Sequence, residues 1–223
     1  MKKFWGFTFL LCSLSFTGDV LPGGFVYVEE YIPSLQIELR YTSKNNFMGR
    51  PVRGYEARKC ILSREAALAL KKVQEDLAKQ KLGLKIYDAY RPQRAVNHFV
   101  EWARDLNDTV MKSSYYPNVP KSQLFEKGYI AARSSHSRGS TVDATLVYLE
   151  DGSEVDMGTP YDYFSPVSWP THTASITETQ YHNRMILQKA MQANGFLHLP
   201  TEWWHFTLDE EPYPDTYFDF VVE

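Results

Sequence analysis

"SREAALALKKVQEDLAKQKLGLKIYDAYRP", Ser63–Pro92, changes its hydrophobic period partway along, and that change sets the fold class. In the first part Leu70, Val73 and Leu77 share one helical face. Ser63 can cap that helix, Glu65 suits its positive end, and Gly83 can stop it. "LKIYDAY", Leu84–Tyr90, then reads as a strand. Working outward, Pro92 suits the first turn of a second helix, with Val96, Phe99, Ala103 and Leu106 on its inward stripe. "STVDATLVYL", Ser140–Leu149, is a further strand. A Ser175/Glu178 capping box starts a third helix that runs to Gly195, and a short strand lies in "EWWHFTL", Glu202–Leu208. Strands alternating with helices give an α+β or α/β domain, with the strand order left open.

The rest of the chain bounds the function. A 223-residue sequence that is 43% hydrophobic, without repeats or low-complexity linkers, suits one domain with a sizeable core. Its formal net charge of −3 offers no basic footprint for nucleic acid. Residues 1–15 resemble a secretory signal peptide, with Lys2 and Lys3, an apolar run from Phe4 to Leu14, and Ser13 and Ser15 near a cut at 15–18; a buried N-terminal strand is the alternative. That run is shorter than the roughly 20 apolar residues of a membrane span. The expectation is an exported, periplasmic domain over 19–223 with no membrane span once the leader is removed. Leu11 argues against lipid attachment at Cys12. Cys60 would then be the only cysteine, so no internal disulfide forms. Oligomeric state is not encoded legibly.

"SSHSRGSTVDATL", Ser134–Leu146, sets His136 and Asp143 on either side of Gly139, as a strand begins. Alternation puts Thr141, Asp143 and Thr145 on one face. A buried carboxylate there needs a positive partner. A divalent metal shared with His136 meets that need; so does an ion pair with an arginine such as Arg138, leaving His136 at the surface. In "TEWWHFTL", Glu202 and His205 point to opposite faces of a regular strand, so one site can take both only through a bend, bulge or turn. His205 as a third ligand would leave a fourth zinc position for water, and Glu202 could act as general base; otherwise the stretch is an aromatic core strand. Arg91 can stabilise an oxyanion without exchanging protons, oriented by Asp88 three residues before it.

Together "SSHSRGSTVDATL", "EWWHF", "YDAYRPQRAV", "YTSKNNFMGRPV", "MGTPYDYF" and "DEEPYPDTYFDF" resemble the VanX-type D-alanyl-D-alanine dipeptidases. These are zinc enzymes related to bacterial D,D-carboxypeptidases and to the Hedgehog signalling domain. The match runs in order from about Val26 to the C-terminus. The resemblance implies a single α+β domain with a central, largely antiparallel sheet flanked by helices. It implies one zinc ion held by His136, Asp143 and His205, Glu202 as catalytic base, and Arg91 as transition-state stabiliser. Asp162 and Tyr41 match positions that receive the substrate's amino end, and Ser134 one near its carboxylate. The implied reaction is hydrolysis of D-alanyl-D-alanine to two D-alanines. A D,D-carboxypeptidase and a zinc-stabilised module without catalysis are the alternatives. His98, His172, His182 and His198 match no ligand position.

Overall fold

The computed structural model describes residues 21–223, so the expected leader lies outside the described residues. In chain order the elements are β1 (Phe25–Tyr27), α1 (Val28–Tyr31), β2 (Gln36–Ile37), β3 (Ile61–Ser63), α2 (Arg64–Ala78), β4 (Leu82–Asp88), α3 (Gln93–Arg104), α4 (Lys112–Tyr115), β5 (Thr141–Tyr148), α5 (Glu178–Ala193), β6 (Phe196–His198) and β7 (His205–Leu208). A central five-stranded sheet has the order β2-β4-β5-β7-β6, and β1 and β3 form a separate two-stranded sheet. Only β2–β4 is parallel in the central sheet; its other pairings are antiparallel. The α+β architecture with a largely antiparallel sheet is therefore as expected.

Both faces of the sheet are covered. Val142, Ala144 and Leu146 of β5 and Leu84 and Ile86 of β4 are fully buried, together with Leu70, Val73 and Leu77 of α2 and Leu187 and Met191 of α5. Gln74 of α2 also accepts a hydrogen bond from the Leu84 amide, tying helix to strand. Tyr41, Tyr87, Tyr161 and Trp204 crowd about the other face and carry the polar site.

Five local expectations need correcting. Ser63 does cap α2 by accepting from the Ala66 amide, but the helix ends at Ala78 and the chain turns through Lys81 at φ 61°. Gly83 lies inside β4 instead, where a Cβ would come within 2.8 Å of Leu149. Pro92 is the N-cap of α3 rather than its first residue, and α3 ends at Arg104, so Leu106 leaves the stripe and is 55% exposed. The capping box of α5 is Thr177/Gln180, in which each side chain takes the other's backbone amide; Ser175 and Glu178 do not form it, and the helix stops at Ala193.

One irregularity sets up the site. Along β4 and β5, Ile86 pairs with Ala144 but Asp88 pairs with Asp143, so Tyr87 is an extra residue in the ladder. Side chains alternate along a strand, so this bulge moves Asp88 onto the face that Asp143 occupies. Asp143 in turn pairs with His205 of β7. Asp88, Asp143 and His205 thus form one row across three neighbouring strands.

Candidate active site

His136 reaches that row from a 3-10 turn, Ser135–Arg138, which follows Ser134 and ends at Gly139. Gly139 sits at φ 84°, and a Cβ there would lie 2.2 Å from the Phe25 ring. Glycine therefore lets the chain double back and present the imidazole to Asp143. Glu202 lies in the turn that precedes β7, with the His205 amide bonded to the Glu202 carbonyl at 3.4 Å. That turn is the bend needed for residues three apart to face one site.

Three donor atoms converge. His136 Nε2 is 3.2 Å from Asp143 Oδ1 and 3.3 Å from His205 Nδ1, and His205 Nδ1 is 3.0 Å from Asp143 Oδ1. A tetrahedral ion with bonds of about 2.0–2.1 Å requires ligand atoms roughly 3.3 Å apart, so the triangle fits. The proton inventory supports the same reading. His136 Nδ1 lies 2.7 Å from the Ala89 carbonyl, which can only accept, so its proton is there and Nε2 faces the carboxylate with a lone pair. Burial lowers the His136 pKa despite Asp143, favouring that neutral form. His205 Nε2 lies 3.2 Å from the Ser135 hydroxyl, which can donate or accept, while Nδ1 faces Asp143; burial opposes its charge, but the Asp143 carboxylate more than offsets that and raises the His205 pKa. Burial alone would raise Asp143, but positive charge and N–H donors on the His136 and His205 rings, when these are protonated, hold it far below the ordinary carboxylate range, and a cation between the three would act in the same sense. Two imidazole nitrogens and a carboxylate oxygen 3.0–3.3 Å from one another are a cation's donor set, and among the described residues these are the three that meet as a potential metal group.

The surrounding groups have distinct environments. Glu202 Oε2 is 3.7 Å from His205 Nδ1, and burial raises its carboxyl. Arg91 donates from Nε to Asp88 Oδ2 at 2.8 Å, approaches Asp143 Oδ2 at 3.5 Å and reaches Ser134 Oγ at 3.4 Å. Burial opposes its charge, but Tyr41 and Asp88 more than offset that. Asp88 is fully buried and also accepts from the Tyr55 hydroxyl at 2.6 Å. Asp162, at φ 59°, accepts from the Tyr41 hydroxyl at 2.8 Å. Burial and the nearby Asp143 raise its carboxyl well above the usual range.

A cavity of about 290 Å³ is lined by Tyr41, Arg91, Ser134, His136, Asp143, Asp162, Glu202 and His205. Every expected site residue is in its wall except Asp88, which sits behind Arg91. The size suits a small substrate rather than a polymer groove. The ion pair between Arg138 and Asp143 does not form; Arg138 binds Glu211, with Nε 2.9 Å from its carboxylate. Sequence reasoning missed Tyr55, Ser135 and Tyr161, the last donating to Asp143 Oδ2 at 2.9 Å.

Residues 22–223 match the family of peptidases described as D-ala-D-ala dipeptidase (M15). The chain belongs to the D-ala-D-ala dipeptidase family. Its relatives include proteins named D-alanyl-D-alanine dipeptidase from Enterococcus faecalis, 42% identical over 91% of this chain and 100% of that protein, and from Enterococcus faecium, 41% identical over 90% and 98%. One from Streptomyces coelicolor is 40% identical over 91% of this chain and its own whole length. This member of the dipeptidase family is thus a peptidase, and its donor set is consistent with metal dependence. Among its described residues no helix is long and apolar enough to cross a membrane.

Proposed function

We propose that this protein hydrolyses D-alanyl-D-alanine with one zinc ion held by His136, Asp143 and His205. The observation that carries the reading is the triangle of two imidazole nitrogens and a carboxylate oxygen, 3.0–3.3 Å on its edges, opening on a small cavity that also holds Glu202 and Arg91. When bound, zinc supplies Lewis acidity with a coordination position left open. Glu202 takes the proton of the attacking water on its carboxylate and passes it to the departing amine. Its raised pKa suits a group that must both accept and return a proton. Arg91, fixed by Asp88, stabilises the oxyanion with a charge it cannot lose.

Asp162 and Tyr41 receive the substrate's ammonium group, and Ser134 lies towards its carboxylate. An anion at the amino end is the physical basis for a dipeptidase rather than a carboxypeptidase, because an acylated amine loses its charge and donors. Export to the periplasm, supported by the basic and apolar leader pattern of residues 1–15, would place the enzyme outside the cytoplasmic membrane. The test is purified protein, with and without zinc, against free and N-acetylated D-Ala-D-Ala and against L-Ala-L-Ala. Zinc-dependent cleavage of the free D,D-dipeptide alone is expected. Equal cleavage of the N-acetylated substrate would overturn the dipeptidase assignment.

A further inference from the structure

Two tyrosines connect the amino-end pocket to the metal-holding carboxylate. Tyr161 Oη lies 2.9 Å from Asp143 Oδ2 and 3.1 Å from Tyr41 Oη, and Tyr41 Oη lies 2.8 Å from Asp162 Oδ2. Tyr161 is buried and lines a different cavity, behind the active site, so it does not touch substrate. It stacks on Tyr87, with ring centroids 4.7 Å apart, and packs edge-on against Trp204. These ring contacts hold the side chain with its hydroxyl between Asp143 and Tyr41.

Counting protons gives the chain a direction. A phenol, with an ordinary pKa of about 10, keeps its proton near neutral pH, so Tyr161 and Tyr41 carry one each. Three contacts then share two protons. With both carboxylates ionised, Tyr161 donates to Asp143, Tyr41 donates to Asp162, and the contact between the hydroxyls has none. An ammonium group at Asp162 brings three donors. It can satisfy Asp162 and the Tyr41 oxygen together, freeing the Tyr41 proton to bond Tyr161. A free amino end therefore completes a hydrogen-bond chain that ends on Asp143.

We propose that Tyr161 is a positioning residue that joins amino-end recognition to the metal centre. Its hydroxyl occupies Oδ2 of Asp143, leaving Oδ1 to the His136–His205 triangle, and seats the Tyr41 hydroxyl that meets the ammonium group. This rests on the metal site proposed above. Outer partners of metal ligands commonly change metal affinity by about 10–100-fold; here the partner would also be felt by the substrate's far end.

The test compares the wild type, Tyr161→Phe, Tyr41→Phe and the double variant. Zinc affinity is read by competition with a chromophoric chelator, and kcat and KM for D-Ala-D-Ala at saturating zinc. Tyr161→Phe should weaken zinc by about 10–100-fold and raise KM even when the site is full. Tyr41→Phe should raise KM with zinc affinity within about threefold, as expected for a residue outside the ligand shell. In the Tyr41→Phe background, Tyr161→Phe should raise KM no further, because the link is already cut. Unchanged zinc affinity in Tyr161→Phe, or KM effects that simply multiply, would overturn the proposal. A lower unfolding temperature with unchanged zinc affinity would make Tyr161 a packing residue only. Failure of the wild type itself to bind zinc would instead strike the metal site.

Discussion

Asp88→Asn isolates the step between a buried carboxylate and the group it orients. Asp88 is fully buried and accepts two hydrogen bonds, from Tyr55 at 2.6 Å and from Arg91 Nε at 2.8 Å. Asparagine keeps the shape and one acceptor, and the Tyr55 hydroxyl can turn to accept from the new amide. What disappears is the charge facing Arg91. A hydrogen bond to a charged group contributes about 1.5–3 kcal/mol and a neutral one about 0.5–1.5, so the loss is about 1–2 kcal/mol locally. Arg91 then has only Asp143 Oδ2, at 3.5 Å, as an anionic partner and drifts towards it. A 2 kcal/mol loss of oxyanion stabilisation corresponds to about a 30-fold fall in kcat. The assay is steady-state hydrolysis at saturating zinc, beside thermal unfolding of the metal-free protein. A fall of about 2–8 °C in Tm should accompany the loss, as expected for a chain of this size. Zinc affinity should hold within about threefold, because His136 Nδ1 is bonded to the Ala89 carbonyl and lies 3.7 Å from Asp88. A kcat within threefold of the wild type would refute the claim that Asp88 holds Arg91 in its working position.

Other perturbations test separate parts. Glu202→Gln should lower kcat by about 10²–10⁴-fold with zinc still bound, as loss of a general base does; full activity would remove the role assigned to Glu202. Arg184 is a buried guanidinium whose Nε donates to the Met157 carbonyl at 2.7 Å and whose Nη1 donates to those of Val167 and Trp169, both at 2.9 Å. Arg184→Leu leaves three carbonyls without this donor, the Met157 contact buried at about 1–3 kcal/mol and the Val167 and Trp169 contacts part-buried and cheaper. It should destabilise the loop carrying Asp162 and raise KM about tenfold, or the loop is held by other contacts. Burial pushes the Cys60 thiol well above its ordinary pKa. Raising the pH to 9 therefore generates no native thiolate, and alkylation of the Cys60 peptide, read by mass spectrometry, should proceed only in unfolded protein. Rapid native labelling at that pH would contradict its burial.

Much of the site was legible because its residue types are costly in any ordinary setting. Asp143 in an apolar strand required a positive partner, and the three-residue spacing of Glu202 and His205 required a bend; the turn before β7 supplies it. The helix faces followed from Leu70, Val73 and Leu77. Local competition blurred the boundaries. Gly83 resembles a helix stop, yet the left-handed turn falls at Lys81, and glycine is used for close packing under Leu149. Thr177/Gln180 outcompetes Ser175/Glu178 two residues earlier.

What stayed hidden depends on register and tertiary neighbours. The extra residue at Tyr87 puts Asp88 opposite Asp143, and no local pattern reports a bulge. Tyr55 and Tyr161 have the same sequence signature as core aromatics; only their hydroxyl partners reveal more. Arg184 occupies a helical position where a cation would ordinarily reach solvent, and its use as a clamp for loop carbonyls appears only once α5 is docked.

The central claim is that His136, Asp143 and His205 hold one catalytic cation with a corner left open to substrate. The most direct measurement is a crystal structure of the zinc-loaded protein, with anomalous scattering recorded across the zinc edge. The account predicts a single peak per chain about 2.0–2.2 Å from His136 Nε2, Asp143 Oδ1 and His205 Nδ1, with its remaining side facing Glu202 and the cavity. A peak elsewhere, or a fourth protein ligand closing the site, would contradict it.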